Sequence, residues 1–165
     1  IDNLSFARPG GSAPTPNPTP TPTPTPSPTP TGGSGGSAYG TIEAEAASTS
    51  KGATIGSSAV TDLGNGDWLK YAKVDFGAAA PAKQFVAKVA SGAGGGVSGL
   101  VEVRLDSATS PVIGSFAVGN TGGWTSWRTI PANIGGTSGV HDVYITFTSG
   151  QPADFVAIDS LTFGR

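Results

Sequence analysis

Proline stands at every second position from Pro14 to Pro30, and nine of the chain's 14 prolines lie in that one run. Each proline fixes φ and removes a backbone donor, so the stretch can neither pair into a sheet nor continue a helix. It reads as extended polyproline II, a spacer. At about 3.1 Å per residue it holds its ends roughly 50 Å apart if straight, and the glycine-serine run after it, to Ser37, supplies a flexible joint. The run divides the chain into a stub (1–11), a linker (12–37) and one candidate domain (38–165).

The domain is long enough for a hydrophobic core of its own. With no cysteine and no methionine, it has no disulfide framework and no thiolate metal site. A net charge of −2 with only 12% charged residues offers neither the basic field that nucleic acid requires nor a polybasic patch for membrane lipid. No apolar run approaches the ~20 residues of a membrane helix. The chain opens at Ile1 without methionine or signal peptide, and Ile1-Asp2-Asn3-Leu4-Ser5-Phe6 nearly repeats Ile158-Asp159-Ser160-Leu161-Thr162-Phe163. Both features lead us to expect a piece of a longer string of modules, the stub being the closing strand of a related upstream domain.

Inside the domain, apolar residues recur with period two. Phe85, Ala87 and Val89 alternate with Val86 and Lys88; Val101, Val103 and Leu105 with Glu102 and Arg104; Val143, Ile145 and Phe147 with Tyr144 and Thr146. Further strands are expected at Ile42–Ala46, Asp67–Tyr71, Ile113–Val118, Trp127–Ile130 and Phe155–Phe163. Glycine-rich turns are expected at Gly92–Gly99 and Gly135–Gly139. No window has helical periodicity. The pattern predicts an all-β fold, an antiparallel sandwich of two sheets.

Residues two apart on a strand share a face. If Leu69 and Tyr71 pack inward, Trp68 and Lys70 face out, and the outward set on neighbouring strands becomes Lys88, Glu102 with Arg104, and Tyr144 with Thr146. An aromatic plate ringed by charges suits a sugar, whose C–H face packs on the ring while its hydroxyls take directional hydrogen bonds. An ordinary solvated sheet face with one exposed tryptophan fits the same spacing.

The motifs Ile42-Glu43-Ala44-Glu45, Asn65-Gly66-Asp67-Trp68-Leu69-Lys70-Tyr71, Thr121-Gly122-Gly123-Trp124 followed by Trp127, Gly139-Val140-His141 leading to Tyr144, and Asp154-Phe155-Val156-Ala157-Ile158-Asp159 run in order through the domain. Together they resemble family 6 carbohydrate-binding modules from about Tyr39 to Arg165. The resemblance implies a β-jelly-roll sandwich, no catalysis, and attachment to a secreted polysaccharide-degrading enzyme. It also implies two possible sugar sites. In the first, among loops at one edge, a tyrosine and a tryptophan clamp a sugar and an asparagine bonds it. Trp124 matches the tryptophan, but Asp62 occupies the tyrosine position and Ala157 the asparagine position. Asp62, Trp124 and Asp154 are therefore expected to form an altered pocket for a chain end. The second site is a concave sheet face, where Trp68 matches the stacking tryptophan and Glu102 the carboxylate. Lys70, Arg104 and Tyr144 join it by strand geometry alone, and this face is favoured for an internal stretch of a glycan.

Glu43 and Glu45 lie two apart on an expected strand, with Asp159 on the closing strand expected to pair with it. Three carboxylates and backbone carbonyls make an oxygen cage for a hard cation, although solvated edge carboxylates fit the same pattern. The resemblance places a structural calcium at these residues. Catalysis finds little support: His141 has no nucleophile motif and no second histidine, and Asp67 belongs to the tight Asn-Gly-Asp turn, where it orders the loop. A calcium-stabilised adhesion sandwich is the other class, yet isolated aromatics among polar residues fit a sugar better than a protein partner. The expected partner is thus a polysaccharide, with β-glucan or xylan first, and the module is expected to be a monomer outside the cell.

Overall fold

The computed structural model describes residues 36–165; the stub, its repeat of the closing hexapeptide and the Pro/Thr run lie outside the described residues. Eleven strands run β1 (Ile42–Glu43), β2 (Thr49–Lys51), β3 (Thr54–Ile55), β4 (Val60–Leu63), β5 (Trp68–Asp75), β6 (Ala82–Ser91), β7 (Gly99–Leu105), β8 (Gly114–Val118), β9 (Gly123–Thr137), β10 (Val140–Thr148) and β11 (Val156–Gly164). One sheet has the order β2-β5-β10-β7-β8, the other β3-β4-β11-β6-β9 with β1 also paired to β11. Every pairing between these strands is antiparallel.

The alternating apolar residues of both sheets meet in a single core. Leu69, Val103, Ile145 and Phe147 come from the first sheet, and Phe85, Val89, Ile158, Leu161 and Phe163 from the second, all buried. Ring packing orders that core: Phe85 stacks on Phe116 at 5.7 Å, Phe76 meets Phe163 edge-on at 4.9 Å, and Phe147 meets Phe155 at 6.4 Å. The expected all-β, two-sheet sandwich is what the chain forms.

Four details differ from the sequence expectation. The strand expected at Ile42–Ala46 stops at Glu43, and Ala44–Ala46 form a 3₁₀ turn. Short strands β2, β3 and β4 were not expected, because their two to four residues are too few to show alternation. β9 is far longer than Trp127–Ile130 and runs through Gly135 and Gly136 to Thr137, leaving only Ser138 and Gly139 for the turn. It contains Pro131, tolerated because β9 is an edge strand with one side free of a ladder. Finally, Lys88 lies on β6, in the other sheet from Trp68, so it does not belong to the expected aromatic face.

Candidate functional site

Strands β5, β10 and β7 are neighbours, and their register draws two rows across the outer face of the first sheet. Lys70, Tyr144 and Arg104 stand side by side in one row, and Trp68, Thr146 and Glu102 in the next. Adjacent strands lie about 4.8 Å apart, so each row spans roughly 10 Å, the width of a pyranose with its substituents. The five residues expected on this face are therefore gathered on it.

Hydrogen bonds fix the polar part of the face. Arg104 donates from Nη2 to Glu102 Oε2 at 2.8 Å, from Nε to the Thr146 hydroxyl at 3.1 Å, and from Nη1 to the Ser110 carbonyl. The hydroxyls of Thr146 and Thr148 also donate to Glu102 Oε2, each at 3.2 Å. All of these bonds to Glu102 fall on one carboxylate oxygen, and the side chain is buried. Lys70 forms an ion pair with Asp142 at 2.8 Å while its ammonium lies 5.7 Å from the Tyr144 ring centroid. Hydrogen bonding to Asp142 raises the Lys70 pKa; the Asp142 carboxyl is lowered by Lys70 first and by the Lys73 backbone N–H next. The Trp68 and Tyr144 rings sit 5.6 Å apart at 58°. Beside them a groove of ≈ 280 Å³ is lined by Lys51, Asp67, Trp68, Arg104, Thr146 and Thr148. Thr148 and Asp142 were legible as the alternating neighbours of Thr146 and Tyr144, whereas Lys51 sits on a strand the sequence did not disclose.

The second candidate is the cleft expected among the edge loops, and most of its lining stands at strand ends: Thr61 and Asp62 on β4, Trp124 at the start of β9, with Asp154 just before β11. Thr61, Asp62, Trp124 and Asp154 line one cleft of ≈ 320 Å³, so the altered pocket expected from Asp62, Trp124 and Asp154 comes together. Trp124 is 44% exposed, the most open of the large aromatic side chains among the described residues. It follows Gly122 and Gly123, whose φ of 112° and 136° only glycine adopts without strain. Asp62 itself has a left-handed φ of 57° and accepts a bond from the Thr61 hydroxyl at 3.2 Å. Ala157, at the position where the resemblance called for an asparagine, is buried and contributes no polar atom.

Glu43 and Glu45 project from the end of β1 and from the 3₁₀ turn, so strand alternation is not what brings them near each other. β1 does pair with β11, Glu43 facing Ser160 next to Asp159. The Glu43 carboxyl is raised by burial first, then by the charges of Glu45 and Asp159, against the opposing effect of Lys88. Glu45 Oε2 is buried without a hydrogen-bond partner, an orphan of the kind a bound cation satisfies. Asp159 is already engaged, by Lys88 at 3.1 Å and by the Ser160 hydroxyl at 2.7 Å. Among the described residues no three acidic or histidine side chains stand within metal-ligand reach.

The residues set aside for catalysis have structural partners. Asp67 Oδ2 accepts from the Gly64 backbone N–H at 2.8 Å, ordering the Asn-Gly-Asp turn. His141 bridges Asp106 Oδ2 at 3.0 Å and the Ser138 carbonyl at 3.1 Å.

A β-sandwich that presents aromatic rings among prearranged polar groups on a sheet face and in a loop cleft is built to bind sugars, which defines the class as carbohydrate-binding module. The sequence profile of the family 6 carbohydrate-binding modules matches residues 35–165, and the chain belongs to that family. It is 41% identical over 112 residues to an arabinoxylan arabinofuranohydrolase of Paenibacillus polymyxa, which covers 68% of this chain and 17% of that protein. The corresponding Bacillus subtilis enzyme is 39% identical, over 70% of this chain and 22% of its own. The chain thus spans about a fifth of the curated relatives it matches. Among solved structures, a family 6 module from Clostridium cellulolyticum in complex with xylose superposes with a TM-score of 0.69 at 35% identity, over 78% of this chain and 99% of that one. A β-1,3-glucan-binding family 6 module from Bacillus halodurans gives 0.69 at 31% identity, over 79% and 99%.

Proposed function

We propose that this module holds a β-linked glucan or xylan chain on the outer face of its first sheet and so keeps a secreted glycoside hydrolase at its insoluble substrate. The observation that carries the reading is the pair of registered rows, Lys70–Tyr144–Arg104 and Trp68–Thr146–Glu102. The sheet continues past both rows, into β2 beside Trp68 and Lys70 and into β8 beside Glu102, and a surface of that width suits an internal stretch of chain. Trp68 supplies the stacking plate, with Tyr144 tilted against it. Lys70 and Arg104 offer donors, and the threonine hydroxyls, whose protons go to Glu102, offer acceptors, all already held in place, so little side-chain entropy is lost on binding. The module supplies no bond cleavage of its own; it raises the local concentration of a linked catalytic domain, the Pro/Thr spacer setting the reach.

A second reading has its own observation: the convergence of Asp62, Trp124 and Asp154 on one cleft, which would take a chain end. The two sites are compatible in one module.

A structural calcium ion belongs to the proposal as well. Glu43, Glu45 and Asp159 would hold it, with backbone carbonyls, once side-chain rotation brings the three carboxylates within reach of one ion; the orphaned Glu45 Oε2 supports the site. The ion would supply positive charge tying the β1 end to β11, and Lys88 would yield its hold on Asp159.

Affinity electrophoresis in gels containing soluble xylan, mixed-linkage β-glucan, mannan or agarose tests the proposal. Retardation by xylan or β-glucan is expected. A folded module that no glycan retards would overturn it.

A further inference from the structure

The indole of Trp124 lies directly on the backbone of Gly92. A Cβ added at Gly92 would stand 2.5 Å from Trp124 Cδ1, 2.7 Å from Nε1 and 2.8 Å from Cγ, so the pyrrole edge of the ring occupies the space that any other residue's side chain would fill. Gly92 has no left-handed φ, so its backbone conformation accepts alanine and the conflict falls on the ring alone.

The segment carrying Trp124 has little freedom to move aside. Ser91, the residue before Gly92, pairs with Gly123. The Thr121 side-chain oxygen accepts from the Ser91 backbone N–H at 2.8 Å and its hydroxyl donates to the Ser126 carbonyl at 2.8 Å. The Ser126 hydroxyl returns a bond to the Thr121 carbonyl at 2.9 Å, and the Asn120 amide donates to the Ala93 carbonyl at 2.8 Å. The 120–126 segment, which leads into β9, is thus tied to residues 91 and 93 on either side of Gly92.

We infer that Gly92 is a positioning residue of the loop cleft: by presenting bare backbone it sets the depth and angle at which the Trp124 ring faces Asp62 and Asp154. This inference rests on the reading of that cleft as a sugar site. It adds a specificity element outside the cleft lining, at a position where a single methyl group decides whether the ring keeps its place.

The test combines two readouts in the full chain. The first is the Trp124 indole N–H resonance in a ¹H–¹⁵N spectrum, assigned with Trp124→Phe. The second is the affinity for xylohexaose and cellohexaose, measured in a Trp68→Ala background that leaves only the cleft. Gly92→Ala is expected to shift the Trp124 resonance, leave the Trp68 and Trp127 resonances of the otherwise unsubstituted chain in place, and weaken cleft binding about tenfold. Gly94→Ala is the control, since a Cβ there meets nothing within 4 Å; both readouts should stay put. If Trp124→Ala abolishes cleft binding but Gly92→Ala neither shifts the resonance nor weakens binding, the role of Gly92 is overturned while the cleft stands. If Trp124→Ala changes nothing in that background, the cleft reading falls and this inference with it.

Discussion

Glu102 Oε2 accepts hydrogen bonds from Arg104 at 2.8 Å and from Thr146 and Thr148 at 3.2 Å each, so one buried carboxylate oxygen organises three side chains on the sheet face. Removing it leaves a half-buried guanidinium without its counter-ion. Glu102→Ala is expected to destabilise the fold by about 1–3 kcal/mol, and Glu102→Gln, which keeps an acceptor, by less. Urea unfolding followed by tryptophan fluorescence compares the two; equal stability of Glu102→Ala and the parent would contradict the account.

The Lys70–Asp142 pair sets an acid limit. The folded-state pKa of Asp142 lies below the ordinary 3.8, so its contribution to stability is complete above that value and is lost as pH falls through the lower, folded one. Lys70, raised above 10.5, contributes below that pH and loses its contribution as pH rises through its folded value. Both groups are near the surface, so the effect is small and weakens with salt. Stability profiles of the parent and Asp142→Asn should converge at acid pH, as it falls through the lowered Asp142 pKa, and separate toward neutrality.

Calcium is expected to raise the melting temperature of the module relative to EDTA, because it neutralises the mutual repulsion of Glu43, Glu45 and Asp159 and satisfies Glu45 Oε2. Glu45→Gln should remove most of that increment. A melting temperature indifferent to calcium in the parent would refute the site.

The two sugar surfaces differ in charge. On the sheet face Glu102 and Asp142 each have a cation within 2.8 Å, whereas the cleft lining brings together Asp62 and Asp154 with no lysine or arginine. A uronate placed in the cleft meets like charge. In the Trp68→Ala background, an oligosaccharide ending in glucuronic acid is expected to bind at least about tenfold more weakly than its neutral counterpart, a penalty of roughly 1.4 kcal/mol. Asp62→Asn with Asp154→Asn should narrow the gap, as isothermal titration calorimetry would report.

The sheet face was legible because alternation assigns Trp68, Lys70, Glu102, Arg104 and Tyr144 to outward positions wherever their strands fall, and β5, β10 and β7 proved adjacent. Alternation does not say which sheet a strand joins, which is why Lys88 was expected on this face and lies across the sandwich, paired with Asp159. The loop cleft was legible through Asp62, Trp124 and Asp154 only by way of a family likeness, since no periodicity links strand ends and turns remote in sequence. The contact between Gly92 and Trp124 left no trace in the pattern: a glycine in a glycine-rich turn looks the same whether it faces solvent or carries a ring. Likewise Gly135 and Gly136 announced a turn, but β9 runs through them as an irregularity in its ladder with β6, between Asn133 and Thr137, where the Gly135 N–H donates to the Ile113 carbonyl instead.

The central claim, that the registered rows on the sheet face hold the glycan, is tested most directly by affinity electrophoresis of Trp68→Ala and Trp124→Ala beside the parent in xylan and β-glucan gels. The account predicts that Trp68→Ala abolishes most of the retardation while Trp124→Ala removes a smaller part. Retardation that survives Trp68→Ala intact and disappears with Trp124→Ala would contradict it and move glycan binding to the loop cleft.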